Sequence, residues 1–181
     1  KPLGLYGAYD VDQLDKSRLA TLYTYQRDSV KFTASPEAYV SKSEELKTYI
    51  PGYSTPIFSP TGGMKISAPD LAKYLLLHMN YGKVGTTRII STSNAKAMQT
   101  PLSSDENYGL ALWKTDVLIP GVELVGHTGS AYGLYSAMFF HPEEKYGFVV
   151  ISNGCDPTQE GIYIRVIRRA IQILHEEWVV K

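Results

Sequence analysis

Cysteine is almost missing from this sequence: Cys155 stands alone among 181 residues, which excludes an internal disulfide and a cysteine-based zinc site. Excess charge of either sign is missing too, with 18 basic residues against 18 acidic ones. A balanced chain gives no electrostatic case for nucleic acid or an anionic membrane, so small or neutral partners are expected. No apolar run approaches the length of a membrane span, and no signal peptide is visible. The first residue is Lys1 rather than Met, so a removed upstream segment is expected, and any export signal would have gone with it. Four histidines occur, at 78, 127, 141 and 175; no two have the helical spacing of metal ligands, HExxH is absent, and no metal is expected. The glycines match neither a phosphate-binding loop nor a dinucleotide fingerprint, so no cofactor is expected. The nearest approach to the GxSxG elbow, Gly52-Tyr53-Ser54-Thr55-Pro56, lacks the final glycine and the strand-to-helix setting.

What is present suits one ordinary domain. At 44% hydrophobic and 20% charged residues the composition is globular, and a chain of this length buries roughly two-thirds of its unfolded surface. Two β-rich runs, 19–25 and 29–33, flank Arg27-Asp28 and predict a hairpin. Residues 35–63 carry Pro36, Pro51, Pro56 and Pro60, which limits regular structure there to a short helix near 42–49. Ser67-Ala68-Pro69-Asp70 reads as a capping box, with Asp in place of Glu, ahead of Leu71, Tyr74, Leu75 and Met79 at helical spacing. That pattern predicts a helix over 68–81, stopped by Gly82. A short helix over 93–100 follows. The period then changes to that of strands, at 108–116, 122–127, 133–140 and 146–152, with a turn at 141–145. Connections this short predict an antiparallel meander. The end of the chain, 161–179, repeats apolar residues at Tyr163, Ile167, Ile171, Leu174 and Trp178, widened by Ile162, Val166, Ala170 and Ile173. A helix with that stripe is expected to lie across the sheet. The fold class is therefore α/β of the α+β type, an antiparallel sheet flanked by helices with the C-terminal one packed on it.

Two stretches bear on chemistry. Ser93-Asn94-Ala95-Lys96 matches SxxK, in which a lysine one turn after a serine could take its proton. A serine at a helix start more often caps, and Lys96 reads as a surface residue. The stretch Gly126-His127-Thr128-Gly129-Ser130-Ala131-Tyr132-Gly133 is more specific. Placed at a strand end, His127 and Thr128 could hold a carboxylate or carbonyl oxygen, and Gly129 would let a substrate backbone approach. The Ser130 N–H could then meet a developing oxyanion, given a second donor. The residues alone leave two readings open: a substrate-binding edge, or a tight strand bend with an incidental histidine.

The order of the motifs carries a resemblance. KPLGLYGAYDVD, SPTGGMKISAPDLAKYLL, NYGLALW, VGHTGSAYGLYSAMFFHPEEKYGFVVISNG and a final amphipathic helix together resemble the serine β-lactamase and penicillin-binding-protein superfamily, in its class C-like branch with DD-peptidases and esterases. The resemblance runs over nearly the whole chain and implies the C-terminal portion of that fold, residues 1–181 forming one such part. It implies a serine hydrolase that works through an acyl-enzyme when complete, on an acyl-D-Ala-D-Ala-like peptide, a β-lactam or an ester, without a cofactor. Three motifs build that family's site, namely SxxK, Tyr-x-Asn and the Lys-Thr-Gly or His-Thr-Gly strand. Only the third is present, so the resemblance places the first two before Lys1 and leaves no catalytic residue in this chain. It also places Ser93 and Lys96 downstream of where the family nucleophile belongs. His127, Thr128, Gly129 and Ser130 become the expected substrate and oxyanion wall, and Tyr132 a groove residue that shapes substrate choice or packs. A neutral imidazole attracts a carboxylate less than an ammonium does, which favours a peptidase or esterase over antibiotic resistance. The resemblance further implies a periplasmic or secreted setting. Missing N-terminal strands would leave an exposed sheet edge and a route to homo-oligomers. The other reading is a non-catalytic binding module that keeps the groove without the chemistry.

Overall fold

The computed structural model describes residues 2–58, 63–103 and 106–181. Residues 59–62, which include Pro60 and are the first four of the SPTGGM motif, lie outside the described residues, as do Lys1, Ser104 and Asp105.

At the centre is a four-stranded antiparallel sheet in the order Gly147–Ser152, Leu134–Phe140, Val122–Ala131, Trp113–Ile119. Neighbours in sequence are neighbours in space, as the short connections require. Pro120-Gly121 turns the first pair, with Gly121 at φ +79°, and Tyr132-Gly133 turns the second with both residues at positive φ. The sheet is covered on both faces. Alternation sends Leu124, Ala137, Phe139 and Phe148 to one face, where Ile167 and Ile171 of the Arg165–His175 helix meet them. Val125, Met138 and Phe140 go to the other, against Leu75 and Met79 of the Ala68–Met79 helix. Ala137 through Phe140 are consequently all buried, the continuous apolar run of a doubly covered strand.

The Ala68–Met79 helix begins as the capping box predicts: Ser67 accepts the Asp70 N–H, and Gly82 at φ +88° follows its end. The predicted hairpin forms as Tyr23–Gln26 paired with Lys31–Ala34. It abuts the sheet, where Tyr23 donates its N–H to the Asn153 carbonyl at 2.8 Å. The short helices fall at Ser43–Lys47 and Thr92–Gln99.

Three expectations need correction. The strand expected over 108–116 starts at Trp113. Asn107 and Ala111 adopt positive φ, and Gly109 donates to the Leu112 carbonyl, so 107–112 is a compact turn with one bridge, Tyr108 to Trp113. The helix expected over 161–179 starts at Arg165, because Gly161, at φ +67°, turns a small ladder of Gln159–Glu160 with Tyr163–Ile164. Tyr163 is buried from that ladder, its hydroxyl 2.9 Å from Thr115 Oγ1. The helix gives way after His175 to a π-helical turn over Glu176–Val180, which leaves Trp178 83% exposed rather than on the buried stripe. Finally, the cap of the Thr92–Gln99 helix is Ser91, not Ser93.

Candidate functional site

The GHTGSAYG stretch makes the second half of a strand, Gly126 to Ala131, and the turn that ends it, Tyr132-Gly133. The Val122–Ala131 strand runs through it, and its register with Leu134–Phe140 is unbroken from Val125↔Phe140 to Ala131↔Leu134. Glycine is required where the sheet is tight. A Cβ on buried Gly126 would run into the Met138 carbonyl, and one on Gly129 would lie 2.7 Å from Ser136 Oγ. The absent side chain at 129 thus relieves the strand's own neighbour as well as any approaching molecule.

On its other side the strand is only half paired. The Trp113–Ile119 strand matches it as far as Trp113↔Gly126, and from His127 onward no described strand lies there. Lys114 donates its N–H to the Asn107 carbonyl at 2.9 Å, so its backbone groups point away from its cross-strand partner Val125. Alternation along an antiparallel strand then settles every other position. The backbone groups of Val125, His127, Gly129 and Ala131 face Leu134–Phe140, and those of Thr128 and Ser130 face the open side. The sequence brings these two amides onto one free edge, 6–7 Å apart along an extended chain at roughly 3.3 Å per residue.

Side chains alternate across the sheet as well. His127 shares the face of Val125. Its Nδ1 lies 2.5 Å from the carbonyl oxygen of Thr128, and its ring stands edge-to-face against Tyr108, with centroids 5.8 Å apart. Tyr108 belongs to the NYGLALW motif, but sequence reasoning gave it no role; the contact spans 19 positions, and only the turn at 107–112 brings it about. Thr128 and Ser130 are exposed. Tyr132 is 50% exposed at φ +52°, a conformation that costs a residue with a Cβ on the order of 1 kcal/mol or more.

Beside this edge runs a groove of about 910 Å³, lined by Gly129, Ser130, Tyr132 and Ser136 of the hairpin and by Tyr74 and Tyr6 among others. Its character is apolar and aromatic, with two cations at its boundary. The Arg18 guanidinium sits 4.1 Å from the Tyr6 ring centre. Lys65 donates to the Tyr9 carbonyl at 2.9 Å, and burial pulls its ammonium below the ordinary lysine range against the opposing pull of Asp10.

The serine and lysine of the SxxK match are not brought to this site. Ser93 Oγ lies 3.1 Å from Ser91 Oγ, while Lys96 Nζ is held 5.3 Å over the Tyr81 ring, and neither lines the groove. The histidines are dispersed. His78 is buried, His141 accepts the Glu144 N–H at 3.1 Å, and His175 packs on Tyr146. The Cys155 thiol is buried, and desolvation pushes its pKa up.

Comparison with known proteins supplies the rest. A family model described as Beta-lactamase matches residues 1–172. No curated protein matches the sequence. Among solved structures, the octameric penicillin-binding protein homologue from Pyrococcus abyssi superposes with a TM-score of 0.66 at 23% identity, over 97% of this chain and 35% of that one. The penicillin-binding protein from Bacillus halodurans gives 0.62 at 18% identity, over 96% of this chain and 46% of its own. The chain therefore spans between a third and a half of the length of these structural neighbours.

Proposed function

Because the chain belongs to the beta-lactamase family, we propose that it forms the sheet wall of a serine hydrolase of peptidase or esterase type, whose nucleophile comes from residues outside these 181. One observation carries the reading: the edge-facing amides of Thr128 and Ser130 lie on an unpaired strand segment beside an aromatic groove. In this role the strand holds the substrate's backbone or carbonyl. The Ser130 N–H is one of the two donors needed by the oxyanion that forms when a serine oxygen adds to the carbonyl. Collapse of that adduct expels the leaving group and leaves an acyl-enzyme, which water then hydrolyses. His127 and Tyr132 bound the substrate, a peptide, a β-lactam or an ester.

The same observations favour a second reading at one point. Ser93 pairs with Ser91 while Lys96 lies over the Tyr81 ring, which supports reading the chain by itself as a binding surface. The test is intact-mass analysis after incubation with a labelled penicillin and with a fluorophosphonate. The 181-residue chain is expected to remain unmodified, whereas a longer polypeptide that adds the upstream SxxK and Tyr-x-Asn motifs acquires one adduct on the upstream serine. A stoichiometric adduct on Ser93 or Ser130 refutes the division of labour, and an upstream sequence without those motifs leaves the binding module.

A further inference from the structure

His127 is the one ionisable side chain within the His127–Ala131 edge, and its hydrogen bond determines what it offers. A carbonyl oxygen has no proton to give, so in the contact of 2.5 Å with the Thr128 carbonyl it is Nδ1 that donates. A neutral imidazole with its proton on Nδ1 presents Nε2 as a bare acceptor. No described residue is hydrogen-bonded to Nε2. The exposed ring meets one aromatic neighbour, Tyr108, at 88° between planes with 5.8 Å between centroids. Tyr108 is itself fixed: its carbonyl accepts the Leu102 N–H at 2.9 Å, it bridges to Trp113, and Lys114 closes onto Asn107 beside it.

We propose that Tyr108 is a positioning residue that holds His127 against the Thr128 carbonyl as the Nδ1–H tautomer, so that the edge presents Nε2 as an acceptor and selects substrates bearing a hydrogen-bond donor over those bearing a carboxylate. The proposal rests on reading this edge as the substrate wall. A lysine at position 127 would offer only donors and a positive charge; an imidazole with its proton on Nδ1 alone offers the reverse at Nε2. Amides and hydroxyl-bearing esters gain a hydrogen bond at Nε2, while a carboxylate, which has no proton to share, meets a lone pair.

Long-range ¹H–¹⁵N correlation spectra of the 181-residue chain labelled at histidine, recorded at about pH 8, above the ordinary imidazole range, report the tautomer directly. His127 is expected to show a protonated Nδ1 and a bare Nε2, and Tyr108→Phe to keep that pattern because the ring is retained. Tyr108→Leu is expected to lower the tautomer ratio about fivefold, the worth of one neutral hydrogen bond. Wild-type protein with the proton on Nε2, or a Tyr108→Leu spectrum matching the wild type, overturns the proposal. A second measurement needs no variant: phenylacetamide is expected to move the Nε2 resonance and phenylacetate to leave it. The opposite order, or no shift with either, overturns the donor preference. The tautomer is read on the ring itself, so its failure is distinct from failure of the acylation experiment.

Discussion

His78 gives the sharpest test of how this chain is packed. It lies in the last turn of the Ala68–Met79 helix, 1% exposed, with the Tyr74 ring edge-on at 4.7 Å. Neither ring nitrogen has a hydrogen-bond partner. Burial with nothing to share a proton holds its pKa below the ordinary imidazole value. Above about pH 6.5 the side chain is neutral in both folded and unfolded protein and contributes no pH dependence. As the pH falls through that value the unfolded chain binds a proton that the folded chain refuses, so stability declines on acidification. A proton withheld by the folded state costs at most about 1.4 kcal/mol for each pH unit below that value. The decline continues until the folded state also protonates. His78→Leu removes the titration and the two unpaired nitrogens together. Urea unfolding followed between about pH 5 and 7.5 is expected to show a shallower acid loss in the variant, with unchanged m-values. Parallel pH profiles for the two proteins would refute the reasoning, because they would mean the ring is hydrated or paired in solution.

Other expectations follow from the same packing. Tyr163→Phe strips the hydroxyl from its buried pair with Thr115 and is expected to cost about 1 to 3 kcal/mol in denaturant unfolding, of which Thr115→Val in the double variant restores a part; full additivity of the two would show that the bond is not made. Tyr132→Asn places a residue suited to positive φ ahead of Gly133 and is expected to stabilise the hairpin by about 1 kcal/mol, read as a rise in Tm. In a longer polypeptide carrying the proposed hydrolase activity, Thr128→Val is expected to lower kcat/KM roughly five- to 150-fold through loss of about 1 to 3 kcal/mol of transition-state stabilisation, with Tm unchanged because the side chain is exposed. His127→Lys in that protein is expected to raise kcat/KM for a cephalosporin relative to a p-nitrophenyl ester, and an unchanged ratio counts against contact between position 127 and the substrate.

Much of this fold could be read from local chemistry. The meander follows from apolar alternation between turn residues, and the Ala68–Met79 helix from a serine that caps it. Errors arose where apolar residues imitate the wrong period. Tyr108, Leu110 and Leu112 alternate like a strand, yet Asn107 and Ala111 take positive φ and fold that stretch into a turn. Ile162 to Ile164 suit the stripe of the final helix, yet Gly161 turns them into a ladder first. The candidate site's residues are contiguous in sequence, but their geometry is not written there. His127, Thr128, Gly129 and Ser130 stand together in sequence, but which amides face the open side depends on where Trp113 stops pairing. Tyr108 meets His127, and Tyr6 and Ser136 line one groove, only through tertiary packing that no window of sequence contains.

The half-paired strand has a consequence on the timescale of amide exchange. At Val125 and Gly126 the strand is paired to neighbours on both sides, whereas from His127 to Ala131 only the side toward Leu134–Phe140 is. Protection against deuterium therefore changes character along a single continuous strand. It is uniform through Leu124, Val125 and Gly126, then alternates, with His127, Gly129 and Ala131 slow and Thr128 and Ser130 fast. The two fast amides are a resting-state signature of a rigid backbone that keeps one side unfilled. A bound molecule that takes up those amides would convert the alternating half to the uniform pattern of the first half, two residues at a time, without moving the sheet.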